Sequence, residues 1–255
     1  MELDFFDCNA SFGFPQNPPP RFSVDEASLV AEMDFVGIRR ALAWHASMRD
    51  GSPVDGNACV LRAVAGNDRL VPTWAILPHE TGEQPPPEEF LAQMRANGVR
   101  ALWSWHREHR FLLSRGGMGD LLALIEERRV PLFMTLNIDV GAYDNWTHAE
   151  ALLRDFPVLT LCVIPVSDWG QDRFFRPLVE TYERLHIGIE SYQLPGGVRE
   201  FCKRCGSDRL LFGSGYPRCP MGGARSLLAR ADVSDEDKRA IACGNLERIL
   251  AEARL

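Results

Sequence analysis

The sequence predicts a (β/α)8 barrel, the TIM-barrel form of the α/β class, in a single domain spanning residues 1–255. Three observations carry that expectation. Short strand-like apolar runs alternate with longer amphipathic stretches, the pattern of βα units around a parallel sheet. Eight such runs occur. The 255 residues match the usual size of one such barrel, and no stretch has the composition of a linker.

In chain order, strands are expected near residues 3–9, 37–44, 70–77, 99–105, 130–136, 159–165, 186–191 and 210–214. Helical stretches are expected between them at 25–35, 88–97, 119–128, 148–155, 176–184 and 198–205, with a closing helix over 235–254. Ser234-Asp-Glu-Asp237 supplies that last helix with a cap residue and with acid in its first turn, where the helix dipole favours it. Two loops break the regularity. Residues 12–22, rich in Pro and Asn, follow strand one, and residues 78–87, with three consecutive prolines, follow strand three. Both lie beyond the carboxyl ends of strands, the face on which barrel enzymes carry their active sites.

Composition narrows the function. Hydrophobic residues make up 45% and charged residues 25%, values of a globular chain with a sizeable core. The net charge of -7 and the lack of a basic run argue against nucleic acid as a partner. The acidic start is unlike a secretory leader, and no apolar run approaches the roughly 18 residues of a membrane span. Seven scattered cysteines suit reduced thiols better than a disulfide framework. A cytoplasmic protein with a small-molecule substrate or ligand is expected, with no nucleic acid and no membrane partner, and a homodimer is left open.

Several fragments fall in a recognisable order. Gly37-Ile-Arg-Arg-Ala41, Asn67-Asp-Arg-Leu-Val-Pro72, Gly98-Val-Arg-Ala101, Arg129-Val-Pro131 and Phe156-Pro-Val-Leu159 lead into strands two to six. Asp208-Arg-Leu-Leu-Phe-Gly-Ser-Gly-Tyr-Pro217 covers strand eight, and Ile241-Ala-Cys-Gly-Asn-Leu-Glu-Arg-Ile-Leu250 the closing helix. Together they resemble the amidohydrolase-related barrel family that includes aminocarboxymuconate semialdehyde decarboxylase. The resemblance runs over nearly the whole chain and implies an amidohydrolase-like barrel with its chemistry at the strand ends.

The same resemblance implies a divalent ion, held by Asp-X-His-X-His on strand one, a His on each of strands five and six, and the Asp of Gly-Ser-Asp on strand eight. Such groups suit an ion that activates water or polarises a carbonyl. This chain departs from the pattern at each of those strands. Asp7-Cys-Asn-Ala-Ser11 puts Asn9 and Ser11 at the two histidine positions, Thr135 and Pro165 stand at the next two, and Gly215 replaces the Asp. None of the substitutes is a good zinc ligand. No metal and no other cofactor is expected.

Strand alternation then selects the side chains that face inward. Asp7, Asn9 and Ser11 on strand one, Phe133, Thr135, Asn137 and Asp139 on strand five, and His186, Gly188, Glu190 and Tyr192 on strand seven form the expected interior, with Cys8 facing outward. His45 and His106 end strands two and four. The catalytic candidates are Glu190, a carboxylate suited to general base work inside a barrel, with His45 and His106. Asn9, Ser11, Thr135, Asn137 and Tyr192 are the substrate-binding candidates. Each also has a structural reading, as a paired core carboxylate, a satisfied histidine or an interior hydrogen-bond group. Trp44, Trp74, Trp103 and Trp105 are read as core or pocket walls. Cys202, Cys205, Cys219 and Cys243 offer thiolates, but strand eight separates them by more than a zinc site spans.

Three functions fit. The first is a metal-independent hydrolase or lyase acting on a small carbonyl, ester or lactone acid. The second is a catalytically inactive, small-molecule-binding relative, or pseudoenzyme. The third is a hydrolase with an atypical metal site built from Asp7, His45 and Glu190.

Overall fold

The structure is a computed structural model that describes residues 3–136, 141–164, 171–192 and 194–255. Its strands run β1 (Phe6–Phe12), β2 (Arg40–His45), β3 (Leu70–Pro72), β4 (Trp74–Ala75), β5 (Leu102–Ser104), β6 (Leu132–Thr135), β7 (Leu161–Ile164), β8 (Leu185–Gly188) and β9 (Leu210–Leu211). All pair in parallel, in the orders β1-β2-β3 and β4 through β9. Thr73 makes β3 and β4 two halves of one barrel stave. Its N–H and its hydroxyl both donate to the Ala43 carbonyl (3.2 and 2.9 Å), and the next amide, Trp74, donates across to Ala101 (3.2 Å). The seam between first and last strands is closed by Cys8 N–H to Phe212 O (2.9 Å), Gly215 N–H to Asn9 O (3.1 Å) and Ser11 N–H to Tyr216 O (3.0 Å). Eight staves result, and the expected (β/α)8 barrel is the fold.

The helices are α1 (Glu26–Val36), α2 (Ser47–Asp50), α3 (Pro53–Val64), α4 (Pro87–Ala96), α5 (Arg115–Glu127), α6 (Ala142–Asp155), α7 (Asp172–Thr181), α8 (Gly197–Cys205), α9 (Met221–Arg230), α10 (Asp235–Arg239) and α11 (Asn245–Glu252). α1 begins with a capping box, the Asp25 carboxylate accepting from Ser28 N–H, and ends on Gly37 at φ 75°. A side-chain cap of this kind stabilises a helix by about 1 kcal/mol. α3 and α9 were not among the expected helices. The Ser52-Pro53 start that caps α3 is a local signal that could have found it. The expected helix over 235–254 is instead α10 and α11 joined by a π-turn at Ala240–Gly244. No helix among the described residues is long and apolar enough to cross a membrane.

Inside the staves the core is aromatic. Trp103 on β5 and Trp105 just beyond its end stack at 5.2 Å with 7° between their planes. Trp44 leans on both (6.1 and 5.0 Å), and Phe133 lies 5.1 Å from Trp103. His186 is buried on the same inner side as expected, and burial pushes its imidazole down to about 3, so it is neutral. At the opposite end from the mouth, Arg184 ties Thr160 (2.8 Å) to Glu252 (2.5 Å), which anchors α11 under the barrel.

Strand one corrects one expectation. Its register against β2 shifts between Asp7 and Ala10, and this bulge breaks strict alternation. A Cβ built on Gly213 would lie 3.0 Å from Cys8 Sγ and 3.7 Å from Asn9 Cβ, so both side chains reach the inner face there. Cys8, expected outward, is inside; burial pushes its thiol well above the ordinary range, and it is inert.

α2 is held against α3 by a close approach at Gly56, where a Cβ would stand 2.5 Å from Met48 Cγ and 2.6 Å from Met48 N. Gly223 on α9 has nothing within 4 Å of such a Cβ. Gly56→Ala is therefore expected to destabilise by about 1–3 kcal/mol through overpacking. Gly223→Ala should stabilise by about 0.5–1 kcal/mol through reduced chain entropy. Paired thermal melts check the opposite signs, at about 2–4 °C per kcal/mol for a chain of this size.

Candidate active site at the barrel mouth

A cavity of about 250 Å³ opens at the carboxyl ends of the strands. Asn9 and Ser11 from β1, Trp44 at the end of β2, Trp105 after β5, Thr135 at the end of β6, and Glu190 after β8 form its floor and walls. Arg49 of α2, Gly215 and Arg218 after β9, and Pro15, Asn17 and Pro19 of the loop after β1 complete it. That loop is pinned by Gly13 N–H to Ser23 O (2.9 Å), by the Ser23 and Tyr216 hydroxyls (3.0 Å), and by Gln16 N–H to Asp50 (2.9 Å). Another cavity, of about 260 Å³, lies between α3 and α4 on the outside of the barrel; its lining holds one carboxylate, Glu83, and no cation.

Glu190 is the centre of the mouth. Asn9 Nδ2 donates to its Oε2 at 2.8 Å, and Arg218 donates to its Oε1 at 2.5 Å. Asn9 is itself oriented by Trp44, whose indole N–H donates to Asn9 Oδ1 at 2.9 Å. Beneath them Asp7 accepts from the backbone N–H of both Asn9 and Ser214 (2.9 Å each). Burial pushes the Glu190 carboxyl up to about 7, against the pull of Arg218 and Asn9, and Asp7 adds to the rise. Asp7 is also raised by burial, and its Oδ2 has no partner among the described residues. Ser11 Oγ donates weakly to Tyr216 O at 3.3 Å, and Thr135 is half-buried on the wall.

The structure thus brings together Asn9, Ser11, Thr135 and Glu190, with Gly215 beside them. It does not bring the other candidates there. His45 packs against Gly13, and its Nδ1 accepts from Ser47 N–H at 3.2 Å beside Ser47 Oγ at 2.6 Å, a local cap on α2. His106 stacks on His148 at 4.8 Å, both its ring nitrogens are without a partner among the described residues, and burial lowers it to about 3. Tyr192 turns toward α7: its hydroxyl donates to Asp172 (2.6 Å) and accepts from Arg176 (2.9 Å). Alternation had placed it inside, but β8 ends at Gly188 and residues 189–192 form a turn, with Tyr192 N–H on Ile189 O at 3.0 Å. Asn137, Asp139 and Pro165 lie outside the described residues. Arg218 and Arg49 were missed; Arg218 directly follows Gly-Tyr-Pro at the end of the last strand, a position that could have flagged it.

The family pattern implies a divalent ion at this mouth, and the described residues do not fit one. A Cβ at Gly215 would lie 2.7 Å from Glu190 Oε1, so the Glu190 carboxylate fills the space an aspartate there would need. Hydrogen-bond donors, not lone pairs, converge on that carboxylate, and one of them is the Arg218 cation. Asp7 uses Oδ1 on two backbone amides, and His45 is turned away. Among the described residues no three His, Cys, Asp or Glu side chains converge as ligands.

The fold has many parallels. The chain is similar to a TIM-barrel protein from Bordetella bronchiseptica (22% identity, TM-score 0.73), covering 98% of this chain and 99% of that one. It is similar to a 2,6-dihydroxybenzoate decarboxylase from Rhizobium (14%, TM-score 0.76) and a 5-carboxyvanillate decarboxylase from Sphingomonas paucimobilis (16%, TM-score 0.73), each again over 98% of this chain and 99% of the other. No curated protein matches the chain. The sequence signature of the amidohydrolase family matches residues 8–251, covering Asn9, Ser11 and the Glu190–Arg218 pair, and on that match the chain belongs to the amidohydrolase family.

Proposed function

We propose that the protein is a metal-independent hydrolase or lyase acting on a small carbonyl, ester or lactone acid. The observation that carries this is the Glu190 carboxylate, held between Asn9 and Arg218 at the floor of the cavity with its proton affinity near neutrality. A general base works best when its pKa lies near the working pH. Arg49 and Arg218 give the cavity the charge to attract a carboxylate, while Asn9, Ser11 and Thr135 offer groups for a polarised oxygen. Trp44 and Trp105 would hold the flat part of such a molecule. The two decarboxylases among the structural neighbours are named for carboxylated aromatic acids, which supports the substrate class.

A second reading, a binding-only relative, is favoured by one specific fact: both oxygens of Glu190 are engaged and its side chain is only 1% exposed. The same variant separates the two. In an enzyme, Glu190→Gln is expected to keep ligand affinity near the wild-type value and lower turnover by roughly 10²–10⁴-fold. Assay by mass spectrometry of lactones, esters and keto acids found by thermal shift reads this directly. Unchanged turnover in the variant would sink the role given to Glu190, and hits that bind but are never converted select the binder.

The proton affinity of Glu190 gives a second readout. Its folded value, about 7, lies above the ordinary 4.5, so between those values the folded protein binds the proton more tightly than the unfolded chain. Its contribution to stability is therefore fully present below about pH 4.5 and is lost as pH rises toward 7. For a base, kcat/KM should rise with pH and level off above about 7. Denaturation and rate profiles of Glu190→Gln are expected to lack both features.

Metal content tests the remaining part. Protein purified without chelator is expected to hold well under one equivalent of zinc, manganese or iron, and turnover is expected to survive EDTA. A full equivalent by elemental analysis, lost in Glu190→Gln, would return the reaction to metal chemistry.

A further inference from the structure

The Pro-rich loop after β4 follows the carboxyl end of a strand, yet none of its residues lines the mouth. Glu83 and Gln84 of this loop instead form one side of the cavity of about 260 Å³ between α3 and α4. Trp74 of β4 and Phe90 of α4 meet there at 5.5 Å, with 39° between their planes, and give the cavity an aromatic corner. The Trp74 indole N–H is sealed within the protein, so that residue offers its ring.

The side-chain amides around this cavity are not equivalent. Asn57 Nδ2 donates to Ala75 O (3.0 Å), Gln93 Nε2 to Glu89 (3.2 Å) and Asn97 Nδ2 to Gln93 O (2.8 Å). Gln84 differs from all three. Its Oε1 accepts Leu77 N–H at 2.9 Å, and because a backbone N–H needs an acceptor, this contact fixes which end of the amide is the oxygen. Its Nε2 donates to nothing among the described residues, although Gln84 is only 7% exposed. That nitrogen is not sealed, so it opens to the cavity that Gln84 lines. A donor held in so buried a residue is costly to leave without an acceptor. Pro85, Pro86 and Pro87 follow at once, and their fixed φ stiffens the chain that carries the amide. Glu83, the residue before it, is the single charged side chain of the lining, and it repels an anion while accepting an N–H.

We propose that this cavity is a second binding site, for a single-ring aromatic carboxamide or lactam. The ring lies against Trp74 and Phe90, the carbonyl oxygen accepts from Gln84 Nε2, and the ligand's N–H turns to the Glu83 carboxylate. One ring suits the volume of about 260 Å³, which lies below the roughly 300–1,000 Å³ of sites for drug-sized ligands. The preference is the inverse of that at the mouth, where Arg49 and Arg218 favour a carboxylate. Benzamide and benzoate, nearly identical in shape, are sorted by charge alone.

Titration of the ¹⁵N-labelled full chain with benzamide, read through its indole N–H signals, tests the site, with Trp74→Phe identifying the Trp74 signal. That signal is expected to move and to saturate with a Kd on the order of 1 mM, as suits so small a ligand. Benzoate is expected to leave it in place. Gln84→Glu keeps the oxygen that Leu77 N–H needs and removes the donor, so it should weaken benzamide about 10-fold or more. Ala58→Phe, on the exposed side of α3 at the cavity wall, should fill the space and abolish the shift with the melting temperature near that of wild type. Should that variant melt early, Gln84→Glu decides. A Trp74 signal unmoved by benzamide at about ten times the expected Kd would overturn the site. So would equal affinity in wild type and Gln84→Glu, a shift that survives in folded Ala58→Phe, or a benzoate shift of the Trp74 signal as large as that of benzamide.

Discussion

The site depends on a carboxylate that is not part of the mouth lining. Asp7, fully buried, accepts the backbone N–H of Asn9 on the first strand and of Ser214 on the last. Those two amides flank the seam where the barrel closes, and the seam sets Asn9 and Gly215 side by side through Gly215 N–H to Asn9 O. From that pairing follows the rest. Asn9 can reach Glu190, Gly215 leaves the room Glu190 occupies, and Arg218 three residues on can close over it. A bond to a charged acceptor contributes roughly 1.5–3 kcal/mol, and removing the acceptor would strand two buried donors as well. The strand-one Asp therefore shapes the mouth by way of the backbone.

Gly215 and Glu190 share one small volume at the mouth. A side chain at 215 and a carboxylate at 190 would compete for one volume, and this chain keeps the second. The Glu190 charge approaches from the end of β8, and Arg218 pairs with it. Packing links the two positions: Gly215 has φ 69°, a backbone that favours glycine, and a Cβ there would stand 2.7 Å from Glu190 Oε1.

Much of this was legible in the chain itself. The eight staves and the inward direction of Asn9, Ser11, Thr135 and Glu190 follow from alternation, and Gly215 was marked by the family resemblance of the last strand. Legibility failed wherever a local irregularity overrode the period. The bulge after Asp7 turned Cys8 inward, and the early end of β8 turned Tyr192 toward α7. His45 and His106 were misplaced for another reason, since a residue at a strand end can face the loop on either side, and only contacts with Ser47 and His148 decide which. Arg49 and Arg218 lie on segments without periodicity; their side chains reach the cavity from outside the barrel wall, which no strand pattern encodes.

The chain of contacts from Trp44 through Asn9 to Glu190 has an optical consequence. The indole N–H of Trp44 and the Glu190 carboxylate bind opposite ends of one amide, and the Trp44 ring leans on the stacked pair Trp103 and Trp105. Excited indoles respond to nearby charge and to the strength of the bond at their nitrogen, and rings 5–6 Å apart exchange excitation readily. A change of charge at the floor of the mouth is thus linked, through one amide, to three of the six tryptophans. The intrinsic fluorescence of the barrel is expected to follow the state of its own carboxylate, readable without label or added reagent.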